Sequence, residues 1–195
     1  MVNGVIGELS ALAAFLILGT WQGTILLCQS RDRDKRYEAA CAYAAATGKP
    51  LLVAGGPLGI TWFRRFLTSP AHGYGDVCLD IDRRAIAGCS CGVVADVRQM
   101  PFPDKTFGAV FASQLLEHLP SVADAKAALA EFDRVADAIF IAHPYRQAVM
   151  TWLTPSHHLY VWQEEGKIYL KQRSGLRNSG KKEVISRPNK VKRAG

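Results

Sequence analysis

The chain has 195 residues, room for one ordinary domain with accessories. Its net charge of +7 is concentrated at one end: from residue 164 onward there are ten Lys/Arg against three Glu, and the remainder balances at fourteen of each sign. That argues against a basic face spread over the folded domain and for a basic tail. The five cysteines, Cys28, Cys41, Cys78, Cys89 and Cys91, are odd in number and share no spacing, which argues against a secreted disulfide framework and fits a reducing compartment.

The first predicted element is the run Leu9 to Cys28, which holds no charged side chain. As a helix it spans about 30 Å, the hydrocarbon thickness of a bilayer, so it is a candidate transmembrane anchor. A cleaved signal peptide is the rival, but residues 1–8 carry only Glu8 and the run ends in "ILLC" without a small-residue cleavage site; a buried core helix is the other alternative. Arg31 to Arg36, "RDRDKR", follows at once. The positive-inside bias places what comes after it in the cytoplasm, as a single-pass membrane protein. Trp21 and Gln22 interrupt the apolar run, and a partner helix would give them a packing contact.

From Asp34 an alanine-rich helix is expected, stopped by Gly48. Strands and helices then alternate. "LLVAG", "DVCLDID", "GVVAD", "GAVFAS" and "AIFIA" read as strands, "ITWFRRFL" and "SVADAKAALAEFDRVAD" as helices, the second with a capping-box-like start at Ser121. Nearly all-apolar short runs separated by helices predict an α/β fold with an open, doubly wound, mostly parallel Rossmann-like sheet. Past Pro144, "HLYVWQ" and "KIYLKQR" around "EEG" predict an antiparallel hairpin. Its Tyr160, Trp162 and Tyr169 offer an aromatic surface, which a hairpin packing on the sheet edge explains more cheaply. Beyond Gly175 no element is predicted. The expected organisation is an anchor at 1–30, an α/β domain at 31–175 and a basic, disordered tail at 176–195, suited to anionic lipid or, less readily, nucleic acid.

In such a sheet a ligand lies at the carboxyl ends of the strands, where a glycine turn lets backbone approach it. Gly55, Gly56 and Gly59 in "LLVAGGPLG" supply that turn, and Asp80, 25 residues after Gly55, is placed to accept ribose hydroxyls. A purely conformational need for glycine explains the turn equally well. His143, His157 and His158 with Cys89 and Cys91 make a poor metal set, because adjacent histidines on a strand point apart and the cysteines lie far off in sequence. No metal ligand is assigned.

Val93 to Pro120, "VVADVRQMPFPDKTFGAVFASQLLEHLP", closely resembles the third-to-fourth-strand segment of class I S-adenosylmethionine-dependent methyltransferases of the type 11 kind. With the two earlier motifs the resemblance covers about residues 50–143. It implies S-adenosylmethionine as cofactor. Gly55 and Gly59 match the outer glycines of the first motif, Asp80 the acid that holds the ribose, and Asp96 with Val97 the pair beside the adenine. Ser113 and Gln114 match the strand end next to the methionine part, and His118 a frequent histidine of the next helix. The chain departs from the family at Val53, which replaces a carboxylate, at Pro57, which replaces the middle glycine and has no N–H to offer, and at Gly108, which replaces an aspartate.

Two functions follow as expectations. One is a membrane-anchored methyltransferase acting on a membrane-associated acceptor; the other is an inactive methyltransferase-like accessory subunit of a membrane protein complex.

Overall fold

The computed structural model describes residues 2–57, 73–164, 167–173 and 182–185. The apolar run and the alanine-rich helix are one element, α1 (Val2–Thr47), so a boundary at residue 30 falls inside a helix. The cause is local. Residues 29–47 contain neither Gly nor Pro, so nothing interrupts the i→i−4 ladder until Gly48, which leaves it at φ +65°. From Leu12 on, α1 includes a window long and apolar enough to cross a membrane, none of it buried in the fold.

All five apolar runs form strands: β1 (Leu51–Ala54), β2 (Val77–Asp80), β3 (Gly92–Val94), β4 (Phe107–Ser113) and β5 (Ala136–Ala142), in one parallel sheet of order β3-β2-β1-β4-β5. The chain therefore steps outward from β1 in one direction and returns to continue on its other side. That reversal opens a crevice between the carboxyl ends of β1 and β4. Alternate residues face opposite layers. Leu52, Leu79, Val110 and Ile139 join the core of α2 (Val122–Val135), while Val53, Cys78, Phe111 and Phe140 join Ala40 and Ala44 of α1.

The Ser121 start is realised: its hydroxyl accepts from the Asp124 N–H at 3.1 Å and donates to the Asp124 carboxylate at 2.6 Å. Ala125, Leu129, Phe132 and Val135 are buried on one face of α2, and β5 begins at the next residue without a loop. After β5 a five-residue helix, α3 (Val149–Leu153), precedes the expected hairpin of β6 (Leu159–Glu164) and β7 (Lys167–Gln172), paired antiparallel. Trp162 stands directly opposite Tyr169 and stacks on it at 5.3 Å, with the Arg146 guanidinium 5.0 Å from the Trp162 ring. Leu159, Val161, Ile168 and Leu170 add the hairpin to the α2 core. Where the sequence predicts no element, β8 (Lys182–Ile185) pairs antiparallel with β7. The expected helix at residues 60–67 lies outside the described residues.

Candidate functional site

The carboxyl ends of the parallel strands and the segments that follow them open into one cavity of about 880 Å³. Gly55, Asp80, Asp96, Val97 and Gln114 line it, so five of the eight positions singled out from the sequence meet there. The opposite wall includes Leu26, Gln29, Ser30 and Arg33 of α1 and Met150 and Thr151 of α3.

The turn after β1 has φ +95° at Gly55 and +66° at Gly56, values that favour glycine. The Gly55 N–H donates to the Leu79 carbonyl at 2.9 Å, which fixes the turn against β2. Gly56 is buried, and a Cβ there would lie 2.7 Å from the Ala85 Cβ and carbonyl oxygen. It serves close packing, whereas Gly55 serves the cavity. Pro57 is buried beside it. Gly59 lies outside the described residues. Val53 is fully buried in the core shared with α1, so the chain has an apolar packing residue where the family carries a carboxylate.

Asp80 ends β2 at the cavity. One carboxylate oxygen accepts the Asp82 N–H at 2.7 Å, which folds the following turn back on the side chain. Partial burial pushes its carboxyl above the ordinary range, with that N–H acting in the opposite direction. Asp96 is held differently. The Arg98 side chain donates to both its oxygens, at 2.5–3.0 Å, and the Arg98 N–H donates at 2.8 Å, so Asp96 stays below the usual carboxylate range. Arg98 also reaches Asp124 of α2 at 2.6 Å. Gln114 has φ +53°, a left-handed conformation uncommon outside glycine and found in strained sites. Its N–H donates to the Ala142 carbonyl at 2.9 Å. Ser113, its neighbour, is buried in the β4–β5 ladder opposite Ala142.

Sequence reasoning missed the group behind this wall. A single 3-10 turn, Leu116–His118, follows β4 and buries Glu117. Among the described residues, the Glu117 carboxylate oxygens are the buried side-chain polar atoms without a hydrogen-bond partner, and burial pushes the carboxyl up to about 8. His118 and His157 line the cavity beside it, with ring centroids 4.8 Å apart. The signal available was an acid among leucines in "LLEHL"; His157 is 40 residues beyond that acid. Among His143, His157 and His158, only His157 joins this group.

Residues 65–138 match the family model described as a methyltransferase domain. The solved structures similar to this chain include a Pyrococcus horikoshii OT3 protein, at 18% identity over 79% of this chain and 75% of that one, with a TM-score of 0.41. An S-adenosylmethionine-dependent methyltransferase of Clostridium acetobutylicum follows at 10% identity, 78% and 73% coverage and a TM-score of 0.42. The N-methyltransferase NodS of Bradyrhizobium japonicum stands at 10%, 75% and 90%, and 0.38. No curated protein matches the chain. Residues 65–138 thus carry a methyltransferase-domain match, within a parallel sheet whose order is that of a methyltransferase-like fold.

Proposed function

We propose that the chain is a membrane-anchored methyltransferase that takes S-adenosylmethionine against its strand ends and an amphiphilic, membrane-associated acceptor from the side of α1. The carrying observation is that one cavity is walled both by Asp80 and by Leu26, Gln29, Ser30 and Arg33, residues that begin within the apolar run and continue past its end.

The residues present fit the cofactor. The cavity is within the range of about 300–1,000 Å³ usual for small-ligand sites. Asp80 offers an acceptor to ribose hydroxyls, Asp96 and Val97 form a wall for the adenine, and Gly55 keeps its strand end clear of side chain. When bound, S-adenosylmethionine supplies a methyl group on a positively charged sulfur. The protein's part is then chiefly alignment of the acceptor, for which the Gln114 strand end and the α1–α3 wall are positioned.

The second part of the apolar run, with the residues after it, grips the segment that follows β5. The Gln22 amide donates to the Gln147 carbonyl at 3.2 Å and accepts the Val149 N–H at 2.9 Å; Gln29 accepts the Tyr145 N–H at 2.9 Å, and Tyr145 donates its hydroxyl to Asp32. Gln22 thus finds its partners within the chain, not on another helix. Next to it, α3 exposes Val149, Met150, Trp152 and Leu153, and α1 exposes Trp21 and Leu27. Apolar faces flanked by tryptophan suit the interfacial layer of a bilayer. The basic stretch after the run favours the cytoplasmic side, and the basic tail favours anionic lipid.

A second reading, a methyltransferase-like accessory subunit that binds no cofactor, is favoured by Val53 and by the Arg98 grip on Asp96. Calorimetric titration of the full-length chain in detergent with S-adenosylmethionine separates the two. The full length is needed because Leu26 to Ser30 belong to the cavity wall. Heat that Asp80→Ala abolishes supports the enzyme; no heat at millimolar ligand overturns it in favour of the subunit.

A further inference from the structure

The strongest unexplained chemistry in the molecule is the unpartnered carboxylate beneath the cavity. An isolated buried polar group is costly, and a buried carboxyl either stays protonated or is paired or coordinates a metal. Among the described residues no other buried side-chain nitrogen or oxygen lacks a hydrogen-bond partner, so the exception requires a reason.

Glu117 has two neighbours of the right kind. A carboxylate oxygen of Glu117 and a ring nitrogen each of His118 and His157 lie within 4.8 Å of one another. Both rings are already oriented by the backbone. His118 Nδ1 lies 3.1 Å from the Ser156 carbonyl and His157 Nδ1 3.3 Å from the Thr151 carbonyl. A carbonyl only accepts, so each Nδ1 carries the proton and each Nε2 keeps its lone pair. That is the outer-partner arrangement that prepares an imidazole to ligate a metal. The two carbonyls belong to α3 and the turn after it, while Glu117 is pinned through its own carbonyl, which accepts the His158 N–H at 2.7 Å. The three ligands are thus set by two segments tied to each other.

We propose that Glu117, His118 and His157 bind a divalent first-row transition ion, with Zn²⁺ as the representative, at the wall of the cavity. Two imidazoles and one carboxylate suit Zn²⁺, Co²⁺ or Fe²⁺ better than Ca²⁺ or Mg²⁺, which favour all-oxygen sets. Ligand bonds of about 2.0–2.1 Å in a tetrahedron bring ligand atoms to roughly 3.4 Å from each other. The ligand atoms now lie within 4.8 Å of one another, so binding would draw them together. Three protein ligands leave at least one position, and two of the three ligands, His118 and His157, line the cavity. An oxygen of a bound acceptor is the chemistry that position takes, a Lewis-acid role common to open three-ligand sites.

The test is titration of the full-length chain in detergent with Co²⁺ alone, read by visible d–d absorption, followed by displacement with Zn²⁺. One equivalent is expected, with the spectrum of nitrogen and oxygen ligation. His157→Ala and, separately, the near-isosteric Glu117→Gln should each weaken Co²⁺ binding by more than about 100-fold, beyond the 10–100-fold that loss of an outer partner costs. Glu117→Gln leaves the turn sterically unchanged, and His157→Ala gives a second variant should the first fail to fold. Absence of binding at millimolar Co²⁺, binding that both variants retain, or thiolate-to-metal charge-transfer bands from the cysteines would each overturn the site. No cofactor is present in this titration, so its failure is distinct from failure of the methyl-transfer reading.

Discussion

Gly108 of β4 lies directly beneath Ala44 of α1: a Cβ on the glycine would stand 2.9 Å from the Ala44 Cα and 2.2 Å from Thr47 Oγ1. The missing aspartate of the family pattern is thereby explained by packing, since α1 crosses β4 too closely for any side chain. Gly108→Ala is expected to destabilise the fold by about 1–3 kcal/mol, as overpacking does, and Gly108→Asp by more. A thermal melt of the variants decides it; a melting temperature unchanged in Gly108→Ala would contradict the close approach of the helix.

Asp80 and Asp96 differ in how much of their charge is already engaged. Asp80→Asn keeps an oxygen for the Asp82 N–H while removing the charge, so it should leave stability nearly unaltered. A hydrogen bond to a charged group is worth about 1.5–3 kcal/mol, so S-adenosylmethionine affinity should fall about 10- to 100-fold. Asp96→Asn, whose carboxylate is shared with Arg98, should cost less affinity. Calorimetry on both variants gives the order, and the reverse order would refute the assignment of the ribose acceptor.

His143, at the end of β5, is pushed down to about 4 from the ordinary 6.5, chiefly by burial, with a smaller opposing effect from its contact with the Pro144 carbonyl; Arg36 lowers it further and Asp32 raises it. The folded protein therefore disfavours the protonated ring. Its contribution to stability is fully present above about pH 6.5 and is lost as pH falls toward 4, with a slope of at most about 1.4 kcal/mol per pH unit. His143→Gln should reduce the slope of melting temperature against pH in this window. A slope equal to that of the parent would show that His143 titrates normally.

If α3 lies in the interfacial layer, Trp152 is at lipid depth and Trp162, stacked on Tyr169, is not. A variant with Trp152 as its sole tryptophan, reconstituted in vesicles, should be quenched by lipids carrying bromine on their upper acyl carbons. The corresponding Trp162 variant should be quenched several-fold less. Equal quenching would remove α3 from the membrane surface, and release of the whole chain by alkaline carbonate would remove the anchor as well.

Much of the sheet was legible because buried parallel strands are largely apolar, and β1, β4 and β5 write that requirement into runs of four to seven consecutive residues without a charge. α2 was legible from Ser121 and the spacing of Ala125, Leu129 and Phe132. Asp80 could be placed because its distance from Gly55 reflects one crossover. What could not be read depends on partners remote in the chain. The change of composition at Arg31 looks like a boundary, yet charged side chains leave the i→i−4 ladder intact and residues 29–47 hold no Gly or Pro, so α1 runs through it. Gly108 looks like erosion until α1 is laid over it. Gly56 reads as a ligand glycine until Ala85 is found against it. Glu117 and His157 acquire meaning together only when the turn after β4 meets the turn after α3.

The unbroken course of α1 has a mechanical consequence. Its second half is packed on β4 and β5 through Ala40 and Ala44 and tied to the Ile141 carbonyl and the Gln163 side chain by Arg36, while its first half is the apolar span. A flexible tether would let the domain swivel and sample every orientation above a bilayer. A stiff helix instead passes any tilt of its first half directly to the sheet, so with that span in a bilayer, as proposed, the cavity would keep one height and one heading. Encounter with an acceptor in the lipid plane would then be a search in two dimensions past a mouth of fixed aim, and lengthening or shortening α1 by two residues would turn that mouth away from the plane by more than half a turn of the helix.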